Sequence, residues 1–307
     1  MDTALKLSVF FEKYFAPVFL CDARPRTFKA YAETLNHWRR FTIDPPIENI
    51  RTLTLAVFKA SLREIVAAST VNKHLRHINA MLAKAGPPGP RNRDALAIVE
   101  RTPWAKPFRV DRKRPRLISE GIVSAVYLAA GVARFPVLDW CSACSWWRAL
   151  ICTAVTSGFR RGAFLALLWL DIDVVEKLIS LPSSIDKCHA DREKPLNSVT
   201  IRHLLEIRGD DERVFPFDHT DKTWYKQWHA IQDAADIPHD QHIKLHDLKR
   251  FAGTRYAATS SPWVVQQMLD HSSIETSRYY VNAAEQCREA VDNFPMPDCF
   301  LVNTEGG

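Results

Sequence analysis

This chain lacks the marks of a protein built to enter or cross a membrane. No stretch approaches the roughly 18 uninterrupted apolar residues of a spanning helix, and the opening Met1-Asp-Thr-Ala-Leu-Lys6 has no basic region followed by an apolar segment. Neither insertion nor secretion is expected, and the expected address is the cytoplasm. A Gly-rich phosphate loop, a His-Glu-x-x-His helix and a Gly-x-Ser-x-Gly elbow are all missing, which sets aside nucleotide hydrolysis, zinc peptidase and serine hydrolase chemistry. The seven cysteines are odd in number and scattered, so a disulfide framework is not expected and a reducing compartment fits. Cys141-Ser-Ala-Cys144 stands without a second pair or a histidine pair at zinc spacing; both cysteines read as ordinary helix residues, and no metal or cofactor is expected. There is no internal repeat and no low-complexity tract.

What is present is apolar sequence and unevenly placed charge. The chain has 307 residues, 47% of them hydrophobic, and a net charge of +6, enough for one very large domain or two ordinary ones. Through Arg116 there are 22 Lys and Arg against 10 Asp and Glu; the remainder has 19 against 25. The first part is therefore the expected polyanion binder, although a basic surface that is merely soluble has the same composition.

The first hundred residues read as helices. Phe28, Tyr31, Leu35, Trp38 and Phe41 recur at helical spacing after Pro25, and Leu55, Phe58, Leu62 and Ile65 repeat the pattern. A third helix is expected to be capped by Ser69 or Thr70, to bury Val71, Leu75, Ile78 and Leu82, and to stop at Gly86. Its other side carries Lys73, Arg76, His77 and Lys84, either a solvated face or one that tracks phosphates. Residues 86–116, rich in proline and ending in Arg112-Lys113-Arg114-Pro-Arg116, read as a cationic connector. Beyond it, Ile118 to Ala133 and Trp146 to Thr156 predict buried helices, while Val174 to Ser183 and Ser198 to Ile201 predict paired strands. The expected fold class is mainly α with a small β-sheet: a helical domain over 1–105, a basic linker over 106–116, an α+β domain over 117–300 and a tail over 301–307.

An ordered set of basic residues ends in a tyrosine: Gly158-Phe-Arg160, then His246-Asp-Leu-Lys-Arg250, then Leu269-Asp-His271 with Tyr280 nine residues further on. Breaking a phosphodiester with a phenol needs fixed cations around the nonbridging oxygens, an acid for the departing 5′ oxygen and a base for the phenol. Arginine suits the first task because its planar, always charged fork reaches two phosphate oxygens. Arg160 is expected to project from the start of a helix whose Phe164, Leu167 and Leu168 pack inward.

Thr156-Ser-Gly-Phe-Arg-Arg-Gly-Ala-Phe-Leu-Ala-Leu-Leu-Trp-Leu-Asp-Ile-Asp173 resembles the first arginine box of the tyrosine recombinases, the phage-type integrases. His246 through Thr254 resembles their second box, Val264 through Tyr280 their third, and the helices ending in Thr70-Val-Asn-Lys-His-Leu-Arg76 resemble their core-binding domain. The resemblance implies a helical core-binding domain plus a catalytic domain that cuts and rejoins double-stranded DNA through a 3′-phosphotyrosine, without metal or ATP. It implies four protomers on DNA, with residues after Tyr280, including the helix-like Ala284 to Phe294, exchanged between them.

Residue by residue, the resemblance makes Arg160 a phosphate clamp, Lys187 the hairpin lysine that protonates the leaving oxygen, with Lys194 its competitor, and His246 an aid to proton transfer. It makes His271 a hydrogen-bond donor to the scissile phosphate and Tyr280, rather than Tyr279, the nucleophile. Two positions depart from the family's pattern. Lys249 stands where a second arginine is usual, with Arg250 one residue on, and Ala163 stands where a carboxylate commonly orients the first arginine. Asp171 or Asp247 are the acids that could substitute. Loss of one bidentate contact costs on the order of 2.7–4 kcal/mol of transition-state stabilisation by analogy with an oxyanion donor, so Lys249→Arg is expected to raise the cleavage rate. A member that binds DNA but cleaves it weakly or not at all, because of Lys249 and Ala163, is the alternative, and a type IB topoisomerase-like enzyme or an RNA binder are more distant ones.

Overall fold

In the computed structural model, the described residues are 4–90, 92–111, 117–182, 192–270, 273–274 and 291. They fall in two compact units, Met1–Lys113 and Arg114–Gly307. No helix among the described residues is long and apolar enough to cross a membrane.

The first unit is helical. A short entry runs through α1 (Leu7–Phe10) and α2 (Ala16–Phe19), joined by a π-helical turn. Next come α3 (Pro25–Thr42), α4 (Thr52–Arg63) and α5 (Ala68–Ala85). Pro25 opens α3 at a position where its missing N–H has no helical partner to lose. Tyr31, Leu35 and Trp38 of α3, Leu55, Phe58 and Leu62 of α4, and Val71, Leu75, Ile78 and Leu82 of α5 form one core, as their spacing predicts. Phe28 and Ile65 are exposed instead, Ile65 because α4 stops at Arg63. A buried carboxylate ties the entry to α3: Asp44 accepts from Trp38 Nε1 at 3.1 Å and from the Ser8 hydroxyl. The start of α5 is capped by neither Ser69 nor Thr70; Ala67 holds the N-cap position without a side-chain bond.

The connector expected after Gly86 is not free. Leu96, Ala97 and Ile98 donate their amides to Lys84, Gly86 and Ala85. Asn72 exchanges two bonds with the Phe108 backbone, at 2.8 and 2.9 Å, and Lys59 donates to Lys106 O at 2.7 Å while lying over the Phe108 ring. A segment whose backbone polar groups find partners on a helix surface gains more by docking than by staying solvated. The first unit accordingly continues through Lys113, beyond the 1–105 boundary expected from composition.

The second unit contains α6 (Glu120–Leu128), α7 (Ala143–Ser157), α8 (Arg161–Phe164), α9 (Ser198–Glu206), α10 (Asp221–Ala234), α11 (Leu245–Thr259) and α12 (Pro262–Leu269). Its sheet is β1 (Ile172–Asp173), β2 (Leu178–Leu181) and β3 (Arg192–Pro195), antiparallel in that order, with Ile179 opposite both Ile172 and Lys194. Trp146 and Trp147 of α7 pack with Trp224 and Trp228 of α10 in the core, ring centroids 4.9 to 5.8 Å apart. Large aromatic areas removed from water at one point hold α7 and α10 together. Ser198 to Ile201 is a helix, not the strand its β-branched residues suggest. Asn197 accepts from Thr200 N at 2.8 Å and caps it, and Thr200, Ile201, His203 and Leu204 give it a helical buried face. The architecture is thus mainly α with a small sheet.

Candidate active site

Three chain segments that carry candidate residues meet at one buried ion cluster in the second unit. α7 ends at Gly158 in the left-handed conformation, φ +61°, and two residues later Arg160 caps α8. The glycine is required twice over: an added Cβ would lie 2.8 Å from Leu269 Cδ2, and its φ strains any L side chain. α12 ends at Asp270, also left-handed at φ 55°, a conformation aspartate adopts more readily than most residues. His271 follows it in sequence.

Lys194, on the inward side of β3, joins these ends. Its ammonium donates to Ser157 O at 2.9 Å, to Met268 O and to Asp270 Oδ2 at 2.8 Å. The pair is sealed from water, with side-chain exposures of 2% and 3%. Lys249 of α11 donates to Leu269 O at 2.6 Å and lies 3.9 Å from the same carboxylate oxygen. One carboxylate and two ammoniums therefore pin the hairpin, the approach to Arg160, the helix of His246 and the approach to His271.

This arrangement revises two expectations. Lys194 is committed to the buried cluster, so it is not an open competitor for the hairpin role. Lys249 does not offer its charge outward, because its side chain is 2% exposed and its ammonium is anchored on the α12 terminus. Of the two adjacent cations, Arg250 is the one that reaches solvent, with 36% of its side chain exposed, while Asp247 accepts from it at 2.8 Å. A local shift of the helix is unnecessary: His246 and Arg250 are four residues apart on α11, and such residues are surface neighbours.

His246 is exposed in area but crowded. The surrounding protein first, then Arg250 and Lys249 and more weakly Arg160, hold its imidazole below the ordinary histidine range, and Asp247 opposes them. A neutral ring at neutral pH can accept a proton. Arg160 is half-buried and, among the described residues, has neither a hydrogen bond nor an ion pair to an acid. Neither acid expected to orient it does so: Asp171 accepts from Leu168 N, and Asp247 from Lys244 N and Arg250. Ala163 is buried in the core. α8 closes at Phe164, so Leu167 is buried beyond the helix rather than on it, and Leu168 only partly so. The neighbouring Arg161 bonds Asp221 and lies over the Trp224 ring, so it is spent on structure.

Lys187, His271, Tyr279 and Tyr280 lie outside the described residues, as do Arg112, Lys113, Arg114 and Arg116 and the segment 284–290. On α5 the cationic face is largely partnered. Lys73 pairs with Glu33 at 3.0 Å and Lys84 with Asp94. His77 stacks on Tyr31 at 4.3 Å, bonds Thr34 Oγ1 and has its pKa lowered chiefly by burial, so it supplies no standing charge. Arg76 is exposed and, among the described residues, bonds only its own helix, at Asn72 O. The ion pairs are on the surface and exchange readily for a phosphate; His77 is the member of the expected set that burial removes.

The buried Lys194–Asp270 pair was not legible in the chain. Its one signal is a lysine on the inward side of a strand, which is recognisable only once the hairpin register is known.

A helical body with a three-stranded sheet, bringing an arginine, a histidine and a second arginine beside a buried ion cluster, defines the class of fold found in phage-type integrases. Residues 139–286 match the model of the Phage integrase family. The second unit belongs to that family, the tyrosine recombinases. No curated protein matches. Among solved structures, a lambda integrase dimer bound to a COC′ core site is 16% identical, covering 90% of this chain and 95% of that one at a TM-score of 0.70. A Tn1549 transposon integrase in complex with transposon right end DNA is 12% identical over 94% and 99%, TM-score 0.73. XerH site-specific recombinase bound to its difH substrate is 17% identical over 87% and 79%, TM-score 0.63. At such identities the likeness is one of fold.

Proposed function

We propose that this chain is a site-specific recombinase that cleaves and rejoins double-stranded DNA, with Tyr280 as nucleophile. The observation that carries the reading is the convergence of the Arg160 approach, the His246 helix and the segment leading to His271 on the single Lys194–Asp270–Lys249 cluster. In the proposed step the Tyr280 oxygen bonds to phosphorus and its proton passes to the neutral His246. The bond from phosphorus to the 5′ oxygen breaks, and Lys187 delivers the proton that oxygen takes. Arg160 and His271 hold the nonbridging oxygens. Arg250 rather than Lys249 supplies the second guanidinium, since it reaches solvent where Lys249 does not and is the foremost cation acting on His246. A free 5′ hydroxyl of a partner strand reverses the step, so bond energy is conserved and no ATP is needed. Four protomers would exchange two duplexes, with residues after Tyr280 docking on a neighbour. The basic first unit, with Lys73, Arg76, Lys84 and the Arg112–Arg116 run, would follow phosphates without reading sequence.

The test is a duplex from the protein's own retained genomic target, nicked beside the scissile phosphate so that a cleaved product cannot religate. A covalent protein–DNA adduct from the unaltered chain and none from Tyr280→Phe is expected. DNA retention without adduct from either would instead establish the binding-only alternative, which the inward-facing Lys249 and the absent acid at Ala163 favour.

A further inference from the structure

Outside the ion cluster, the second unit brings three histidines together where α10 meets the segment entering α11. His229 of α10 and His242 face each other Nδ1 to Nδ1 at 2.8 Å, and His239 packs against both rings, centroids 5.8 and 4.9 Å away. One ligand-capable atom from each of the three lies within 4.8 Å of the others. We propose that His229, His239 and His242 form a binding site for a transition-metal dication of the zinc class.

Three features carry this beyond a cluster of rings. The spacing brackets what the ion needs: nitrogens at 2.0–2.1 Å in a tetrahedron stand about 3.3 Å apart. The ring of His242 is oriented from behind, with Nε2 3.1 Å from Ile237 O and 3.3 Å from Asp233 Oδ1. A proton on Nε2 satisfies both acceptors and leaves the Nδ1 lone pair facing His229, which is how metal-ligating histidines are held by a carbonyl or carboxylate. Finally, no cation has to be displaced. The other group of possible ligands among the described residues, Glu33, His37 and His74, differs on this point, because the Lys73 ammonium already sits 3.0 Å from Glu33.

Three imidazoles leave a fourth position for water. The ion would not take part in strand transfer. It would fasten α10 to the strap that Gln232 and Trp228 already hold through Ile243, at 2.6 to 3.1 Å, three residues before His246. The site is therefore structural and independent of whether the chain cleaves DNA.

The experiment uses the untagged full chain freed of metal by chelation, titrated with Zn²⁺ by calorimetry and with Co²⁺ by visible absorption. Saturation at one ion per chain is expected, with a Co²⁺ band of tetrahedral intensity and a rise in Tm of about 5–10 °C at a hundredfold excess over Kd. His239→Ala, an exposed position whose loss leaves the fold intact, and His229→Gln should each abolish the band, and Asp233→Asn should weaken binding by roughly 10–100-fold. Absence of saturable binding overturns the proposal. So does binding that survives in His239→Ala and His229→Gln alike but is lost in His37→Ala, which would place the ion on the first unit.

Discussion

Replacing Asp270 by asparagine removes one charge from a space that holds two ammoniums and almost no water. Lys194 lies 2.8 Å and Lys249 3.9 Å from the carboxylate oxygen, with side-chain exposures of 2 to 3%. Taking away one partner of a buried pair costs about 3–5 kcal/mol, because the remaining charge is left uncompensated. Asparagine keeps the shape and one acceptor oxygen, so the expected loss sits near the lower end, about 3 kcal/mol. Lys194→Met removes the nearer ammonium from the carboxylate and should cost a similar amount, whereas the double variant should lose less than the two single losses together. Denaturant unfolding of the full chain, followed through its tryptophans, gives all three values and hence the coupling. Adduct formation, measured where each variant is fully folded, should slow while DNA affinity stays within twofold, since the cluster positions the approaches to Arg160 and His271 but touches no phosphate. A coupling below about 1 kcal/mol, or unaltered adduct formation in Asp270→Asn, would refute the idea that this pair organises the site.

Burial, with smaller contributions from Lys73 and His37, lowers the pKa of the fully buried His74 from 6.5 to about 4. Above pH 6.5 the ring is neutral in both states and costs nothing. Between pH 6.5 and 4 the unfolded chain takes up a proton that the folded chain refuses, so the first unit should lose about 3 kcal/mol over that window; His74→Leu should flatten this acid slope, and an unchanged slope would show the ring is not its source. Gly158→Ala should destabilise by about 1–2 kcal/mol from its left-handed φ alone, and by more if Leu269 cannot move from the incoming Cβ, as thermal and denaturant unfolding will show. Lys249→Arg, which the missing guanidinium in the sequence recommends as an improvement, should instead cost about 1–3 kcal/mol by overfilling a closed space and leave cleavage no faster. Arg250→Ala should slow adduct formation by roughly 100-fold; a faster Lys249→Arg enzyme beside an unaffected Arg250→Ala would return the second phosphate contact to Lys249.

The helices were readable because burial follows spacing: Tyr31, Leu35 and Trp38, or Val71, Leu75 and Ile78, recur with a period no strand could use. The error at Ser198 to Ile201 arose where a short β-branched run carried no period long enough to decide, and one capping side chain, Asn197, settled the conformation. The docking of residues 86–111 was hidden for a different reason. Proline and arginine content marks 86–116 as a connector, but composition carries no information about Asn72, 36 residues away from Phe108, whose amide pairs with that backbone.

At the candidate site, order and spacing located Arg160 and His246 but could not assign direction. Lys249 and Arg250 are adjacent in sequence, about 100° apart on the helix, and either could face a phosphate. The choice is made by what the other face meets. On the Lys249 side stands the α12 terminus, with the Leu269 carbonyl and the Asp270 carboxylate able to accept a buried ammonium. A guanidinium there would need more donors satisfied in less space, whereas on the Arg250 side solvent and Asp247 accommodate the larger fork. The substitution of lysine for arginine and the aspartate before His271 are thus one feature rather than two. The carboxylate at the end of α12 requires nearby positive charge and the inward lysines provide it, which leaves Arg250, the next residue, as the exposed member of the pair on the face of His246.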